Sequence, residues 1–220
     1  MTLPLIAPWD DSTPFPPDDT ALNAPAGLLA AGGSLRPARL LAAYRRGIFP
    51  WYSEGDPILW WTPDPRCVIF PERLHVSHRL RRRLRQQPFT LTRDTAFTEV
   101  VAGCAAPRRG EIGTWILPEM VDAYVRMFEL GHATSFECWQ DNRLVGGIYG
   151  IHLGDVFFGE SMFSRRADAS KAALVAAARA EDIALIDCQL STPHLERMGA
   201  EQIPRQRFVE LLATHGASQA

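Results

Sequence analysis

HATSFECWQ (132–140), the pair DN (141–142), RLVGGIYGI (143–151), a loop at 152–155 and VFFGE (156–160) decide the fold. Three runs of β-forming residues are joined by one tight turn and one short loop, which predicts an antiparallel three-strand meander. Downstream, a helix is predicted over about 168–181, a strand over ALIDCQ (184–189) and a last helix over 205–213. Helices and strands thus mix through this half of the chain, and the expected fold class is α+β. GESMFS (159–164) leaves the third strand at Glu160, and the later strand carries Asp187 and Gln189 at i, i+2. That spacing sends both side chains to one face and Cys188 to the other. Phe157, Phe158, Met162 and Phe163 stand beside Glu160, a layout suited to gripping an apolar group next to polar chemistry.

Upstream, residues 1–27 are rich in proline and small residues and are expected to wrap a surface. A helix follows from Pro37 to about Arg46, with proline in its first turn and Gly47 to stop it. IFPWY (48–52) and ILWWTPDPR (58–66) are aromatic and punctuated by proline, and CVIFP (67–71) reads as a strand. Ser77 can cap a helix over 78–87, FTLTR (89–93) reads as a strand, and Pro118 to Leu130 as a helix. The expected division is a smaller α+β N-terminal domain, 1–95, and a larger C-terminal domain, 96–220.

At 220 residues and a formal net charge of −2, the chain has material for a core and is neither a disordered tail nor a globally basic protein. Cys67, Cys104, Cys138 and Cys188 show no CxxC spacing and no nearby histidine cluster, so reduced thiols and no metal are expected. The N-terminus is too acidic and proline-broken for a signal peptide, and no apolar run reaches membrane-spanning length. A cytoplasmic protein without a membrane partner is expected.

Arg79, Arg81, Arg82, Arg83 and Arg85 crowd one short helix without interleaved acids. They are either a solvated face or a surface for a polyanion, which would relieve their mutual repulsion through bidentate phosphate contacts. Most of Phe49, Trp51, Tyr52, Trp60 and Trp61 belong in a core, while Trp51 and Trp115, in loop-like contexts, are candidates to stack on a base. Lys171 is the only lysine, and is either an ordinary first-turn helix residue or a retained compact ammonium. The six histidines are scattered and none forms a nucleophile motif.

Taken in order, FPP (15–17), GLLAAGGSL (27–35), AYRRGIFPW (43–51), ILWWTPDPR (58–66), GTW (113–115), ELGHA (129–133), LVGGIYG (144–150), GESMFS (159–164), ASKAAL (169–174) and IDCQ (186–189) resemble the leucyl/phenylalanyl-tRNA–protein transferases. The resemblance implies a C-terminal domain of the GCN5-related acyltransferase fold. It implies transfer of Leu, Phe or Met from aminoacyl-tRNA to proteins beginning with Arg or Lys, marking them for degradation in the N-degron pathway. It further implies catalytic roles for Asp187, Gln189 and Glu160, an aminoacyl side-chain pocket of Ile148, Phe157 and Leu174, and a terminal-adenosine site at Trp51 and Trp115. The arginines of 79–85 would hold tRNA phosphates. No cofactor and a monomer are expected. Position 148 departs from the family pattern, in which Met also occurs, and the branched Ile is stiffer.

The chemistry needs little. An aminoacyl ester is already activated, and an α-amine of pKa about 7.7–8.0 is partly unprotonated near neutrality. Holding ester and amine together is worth about 7–11 kcal/mol, so positioning dominates. Gln189 can accept a hydrogen bond from the amine, with Asp187 expected to orient its amide. Three rivals carry less. An acetyl-CoA-dependent acetyltransferase would want a Gly-rich loop where this chain has SRRADAS (164–170). A peptidoglycan ligase usually needs two such domains. An RNA-binding module leaves Glu160, Asp187 and Gln189 unexplained.

Overall fold

The computed structural model describes residues 3–86, 89–107 and 116–217. Eleven strands and seven α-helices occur among them. Four short strands, β1 (Leu5–Ile6), β2 (Leu28–Gly32), β3 (Phe49–Pro50) and β4 (Leu59–Trp61), form a small sheet in the order β1-β2-β4-β3. Helix α1 (Pro37–Tyr44) begins on its proline, as expected. The larger sheet holds β5 (Arg66–Ile69), β6 (Thr90–Arg93), β7 (Ala133–Gln140), β8 (Arg143–Leu153), β9 (Val156–Ser164), β10 (Leu185–Gln189) and β11 (Glu201–Ile203), ordered β11-β5-β10-β9-β8-β7-β6. Within this larger sheet only the β9–β10 pair is parallel. The remaining helices are α2 (His78–Gln86), α3 (Phe97–Ala105), α4 (Pro118–Glu129), α5 (Ala169–Ala177), α6 (Pro193–Arg197) and α7 (Arg205–Thr214).

The α+β architecture and the β7–β8–β9 meander are as read from the sequence. Helix α3 was not legible there: Thr98, Val100, Val101 and Gly103 are poor helix formers, and no side chain caps its start. Burial of Phe97, Val100, Val101 and Cys104 holds it instead. β5 and β6, from the first 95 residues, pair into the larger sheet.

The two faces of that sheet bury different clusters. Tyr149 and Ile151 of β8 join α1, α3, α4 and α7 in one core, while the neighbouring Ile148 joins Phe136, Phe157 and residues of α5 in the other. Gly146 lets α5 approach, since a Cβ there would lie 2.6 Å from that of Ala169. Among the described residues no helix is long and apolar enough to cross a membrane.

Candidate active site

β9 continues to Ser164 rather than ending at Glu160. Its pairing with β8 slips once: Gly150 faces Gly159 and Tyr149 faces Ser161, so Glu160 is the extra residue of a β-bulge. A bulge re-aims the side chain it carries. Gly150 permits the slip, because a Cβ there would collide with the Phe158 carbonyl. Glu160 thereby reaches the Tyr124 hydroxyl, which donates to its Oε2 at 2.6 Å. The Tyr44 hydroxyl lies 2.9 Å from that of Tyr124. Burial pushes both phenols well above their usual range, so they stay protonated donors. Burial also raises the Glu160 carboxyl, to about 7, against the opposing hydrogen bonds from Tyr124 and Tyr44.

β10 slips as well, between Asp187 and Gln189 in its pairing with β5. Gln189 takes a left-handed conformation, φ +56°. The i, i+2 rule therefore fails, and the two side chains do not share a face. Asp187 is fully buried and turns to Arg66, which donates from Nε to Oδ1 at 2.7 Å and from Nη2 to Oδ2 at 2.6 Å. The guanidinium is itself sandwiched, 4.9 Å from the Phe49 ring centroid and 4.6 Å from that of Phe208. Asp187 touches the site by accepting the backbone N–H of Gln189 at 3.0 Å. The expectation that it orients the Gln189 amide is corrected: that amide donates to Glu160 Oε1, at 3.5 Å.

Between β9, β10, α5 and α6 lies a cavity of about 310 Å³. Ile148, Met162, Leu174, Ile186 and Leu195 make its apolar wall. Glu160 and Gln189 stand in the same lining, and Trp51 joins it from just past β3. Trp51 is 40% exposed, with its ring centroid 5.6 Å from that of Trp61. Of the expected side-chain pocket, Ile148 and Leu174 are in the lining. Phe157 is completely buried behind them, edge-on to Phe136 at 5.9 Å. Trp115 lies outside the described residues. Cys188 is also in the wall, its thiol hydrogen-bonded to that of buried Cys67; the contact lowers the Cys67 pKa and raises that of Cys188.

Arg66, Tyr44 and Tyr124 are the site residues that sequence reasoning missed. Arg66 and Tyr44 lie in the motifs ILWWTPDPR and AYRRGIFPW, but nothing local marks them as partners of residues 121 and 80 positions away. The arginines are held apart from the cavity. On α2, Arg79, Arg82 and Arg85 at i, i+3, i+6 share one groove of about 650 Å³ with His78 and Gln86. Arg81 donates to the Val76 carbonyl at 3.2 Å, and Arg83 lies 3.5 Å from Asp168. Among the described residues no three His, Cys, Asp or Glu side chains group as a metal site.

The sequence profile described as "Leucyl/phenylalanyl-tRNA protein transferase" matches residues 68–213, and the profile of that family's N-terminal domain matches 33–64. A leucyl/phenylalanyl-tRNA–protein transferase of Stutzerimonas stutzeri is 59% identical over 208 residues, covering 93% of this chain and 92% of its own. One from Aromatoleum aromaticum is 60% identical over 212 residues, covering 94% and 90%. Among solved structures, a GCN5-related N-acetyltransferase from Kribbella flavida matches at 12% identity with a TM-score of 0.38, covering 76% of this chain and 60% of that one. With an apolar cavity, a polar pair at its edge and profile matches along most of its length, the chain belongs to the leucyl/phenylalanyl-tRNA–protein transferase family.

Proposed function

We propose that this chain moves Leu or Phe, and also Met, from aminoacyl-tRNA to the α-amino group of proteins beginning with Arg or Lys. It would do so in the cytoplasm, as a monomer, supplying the N-degron pathway. The observation that carries this reading is the pairing of an apolar cavity with the Gln189–Glu160 hydrogen bond in one lining. The aminoacyl side chain would enter among Ile148, Leu174 and Met162, where burial of a Leu or Phe side chain is worth about 1.5–3 kcal/mol. A methylene more or less changes this by only about 1–3 kcal/mol, which accounts for tolerance of several apolar amino acids. Trp51 supports a stacking platform for the terminal adenosine at the same cavity.

The reaction breaks the ester C–O bond to the terminal ribose and forms an amide bond, with one proton leaving the attacking amine. Because the Gln189 Nε2 faces Glu160, its carbonyl oxygen is available to accept from that amine. Glu160, near pKa 7, suits temporary receipt of the proton before it passes to the leaving hydroxyl. Asp187 acts through the backbone, holding Gln189 in its left-handed turn. The exposed arginines of α2 suit tRNA phosphates. Strand pairing supports a division of the two units between β4 and β5.

The test is transfer of labelled Leu or Phe from charged tRNA to paired reporters beginning with Arg or Ala. Label on the Arg reporter alone is expected. Equal labelling of both would reject the acceptor specificity, and none on either would reject the transferase reading.

A further inference from the structure

A second cavity, of about 280 Å³, opens on the other side of α6 from the aminoacyl pocket. Leu195 of α6 and the helix's cap Thr192 line the aminoacyl pocket, while His194 and Arg197 of α6 line this one. Helix α5 spans both, with Leu174 in the first and Lys171 in the second, one turn or about 5 Å apart along the axis. Arg79 contributes from α2 and His75 from the segment before it. The cavity therefore gathers three permanent cations from three helices against a single carboxylate, Asp168.

Asp168 is already engaged, accepting from Lys171 Nζ at 2.7 Å and lying 3.5 Å from Arg83 Nε. Neither Arg79 nor Arg197 forms an ion pair among the described residues. Burial, with Lys171 and Arg197 nearby, depresses the His194 pKa. A neutral imidazole can donate one hydrogen bond without adding to the charge repulsion. A cavity with surplus guanidinium and ammonium donors fits a tetrahedral, singly charged oxyanion group.

Resting on the transferase reading and deepening it, we infer that this cavity seats the phosphodiester adjoining the aminoacylated nucleotide. The RNA strand would straddle α6, with its terminal aminoacyl group on one side and its last phosphate on the other. This role is distinct from that of Arg82 and Arg85 on the outer groove, which would meet phosphates farther along the tRNA. It also accounts for the single lysine, whose ammonium is held at the cavity wall by its partner Asp168.

The experiment compares two minimal donors with one acceptor peptide beginning with Arg: phenylalanyl-adenosine, which has no phosphate, and phenylalanyl-cytidylyl-adenosine, which has one. The KM of the intact protein should be lower for the dinucleotide by about tenfold, the scale of one charge-assisted hydrogen bond. In the double variant Lys171→Met, Arg197→Gln this KM ratio should collapse toward one. Lys171→Arg should retain most of it, because the charge remains. An intact protein with no preference for the dinucleotide would overturn the inference, as would a double variant that keeps the preference. Transfer from neither donor, with charged tRNA inactive too, would instead bring down the transferase reading on which the inference rests.

Discussion

The apolar cavity beside β10 and the arginine helix hold their polar groups in opposite ways. Around the cavity each is partnered: buried Asp187 by Arg66, half-buried Glu160 by Tyr124, and the Gln189 N–H by Asp187. On α2 the outer arginines face an open groove, and only Leu80 of the helix is fully buried. A buried charge must be matched at a set geometry or it costs several kcal/mol, whereas an exposed one is solvated wherever it points. The pocket is thus built by tertiary contacts, and the helix face by composition.

The largest break in that contrast should come from Asp187→Ala, which leaves Arg66 buried and unpaired. We expect a loss of about 3–5 kcal/mol in denaturant unfolding. Replacing both partners, Arg66→Met with Asp187→Leu, should recover most of that stability while transfer stays low. A single variant no less stable than the double one would refute the ion pair's structural role.

Next is Glu160. Its folded pKa, about 7, lies above the ordinary 4.5, so the native state binds this proton more tightly than the unfolded chain does. The stability it contributes is complete below about pH 4.5 and is lost as pH rises through 7, on the order of 3 kcal/mol in all. Glu160→Gln should therefore flatten the pH dependence of unfolding across this window. It should also lower turnover about 100-fold and remove a titration near 7 from the rate profile, leaving that of the α-amine. An unaltered profile would exclude Glu160 as the proton acceptor.

Gln189 separates backbone from side chain. Gln189→Ala and Gln189→Gly should lose turnover alike, well beyond any change in tRNA affinity. The glycine variant should be more stable than the alanine one by about 1 kcal/mol, since φ is +56°. Retained turnover in either would end the proposed role of the amide.

The smallest effect on stability should follow neutralisation of Arg79, Arg82 and Arg85 to Gln, within about 0.5 kcal/mol of the parent. The same variant should reduce the slope of log affinity for tRNA against log salt by about two to three. An unchanged slope would make this face a solvated one.

What could be read in advance followed the same division. The meander between 132 and 160 was legible because period-two runs and a DN turn are local signals; the run of β9 on to Ser164 was not. So was α2, with Ser77 Oγ accepting the Leu80 N–H at 3.2 Å as its cap. Of the residues expected in an apolar pocket, Ile148 and Leu174 line the cavity and Phe157 lies buried behind it. Alternation along a strand says which residues share a face, not which layer they occupy.

The sequence by itself determined the α+β class, the principal helices and strands, the basic face of α2 and, through its ordered motifs, the family. Only the tertiary structure decided that Glu160 rides a bulge, that Asp187 turns away from the cavity to Arg66, and that Gln189 leaves the strand in a left-handed turn. The reason is physical. Side-chain alternation is a property of one strand, but a bulge is set by the register of two, and a buried ion pair joins residues 121 positions apart.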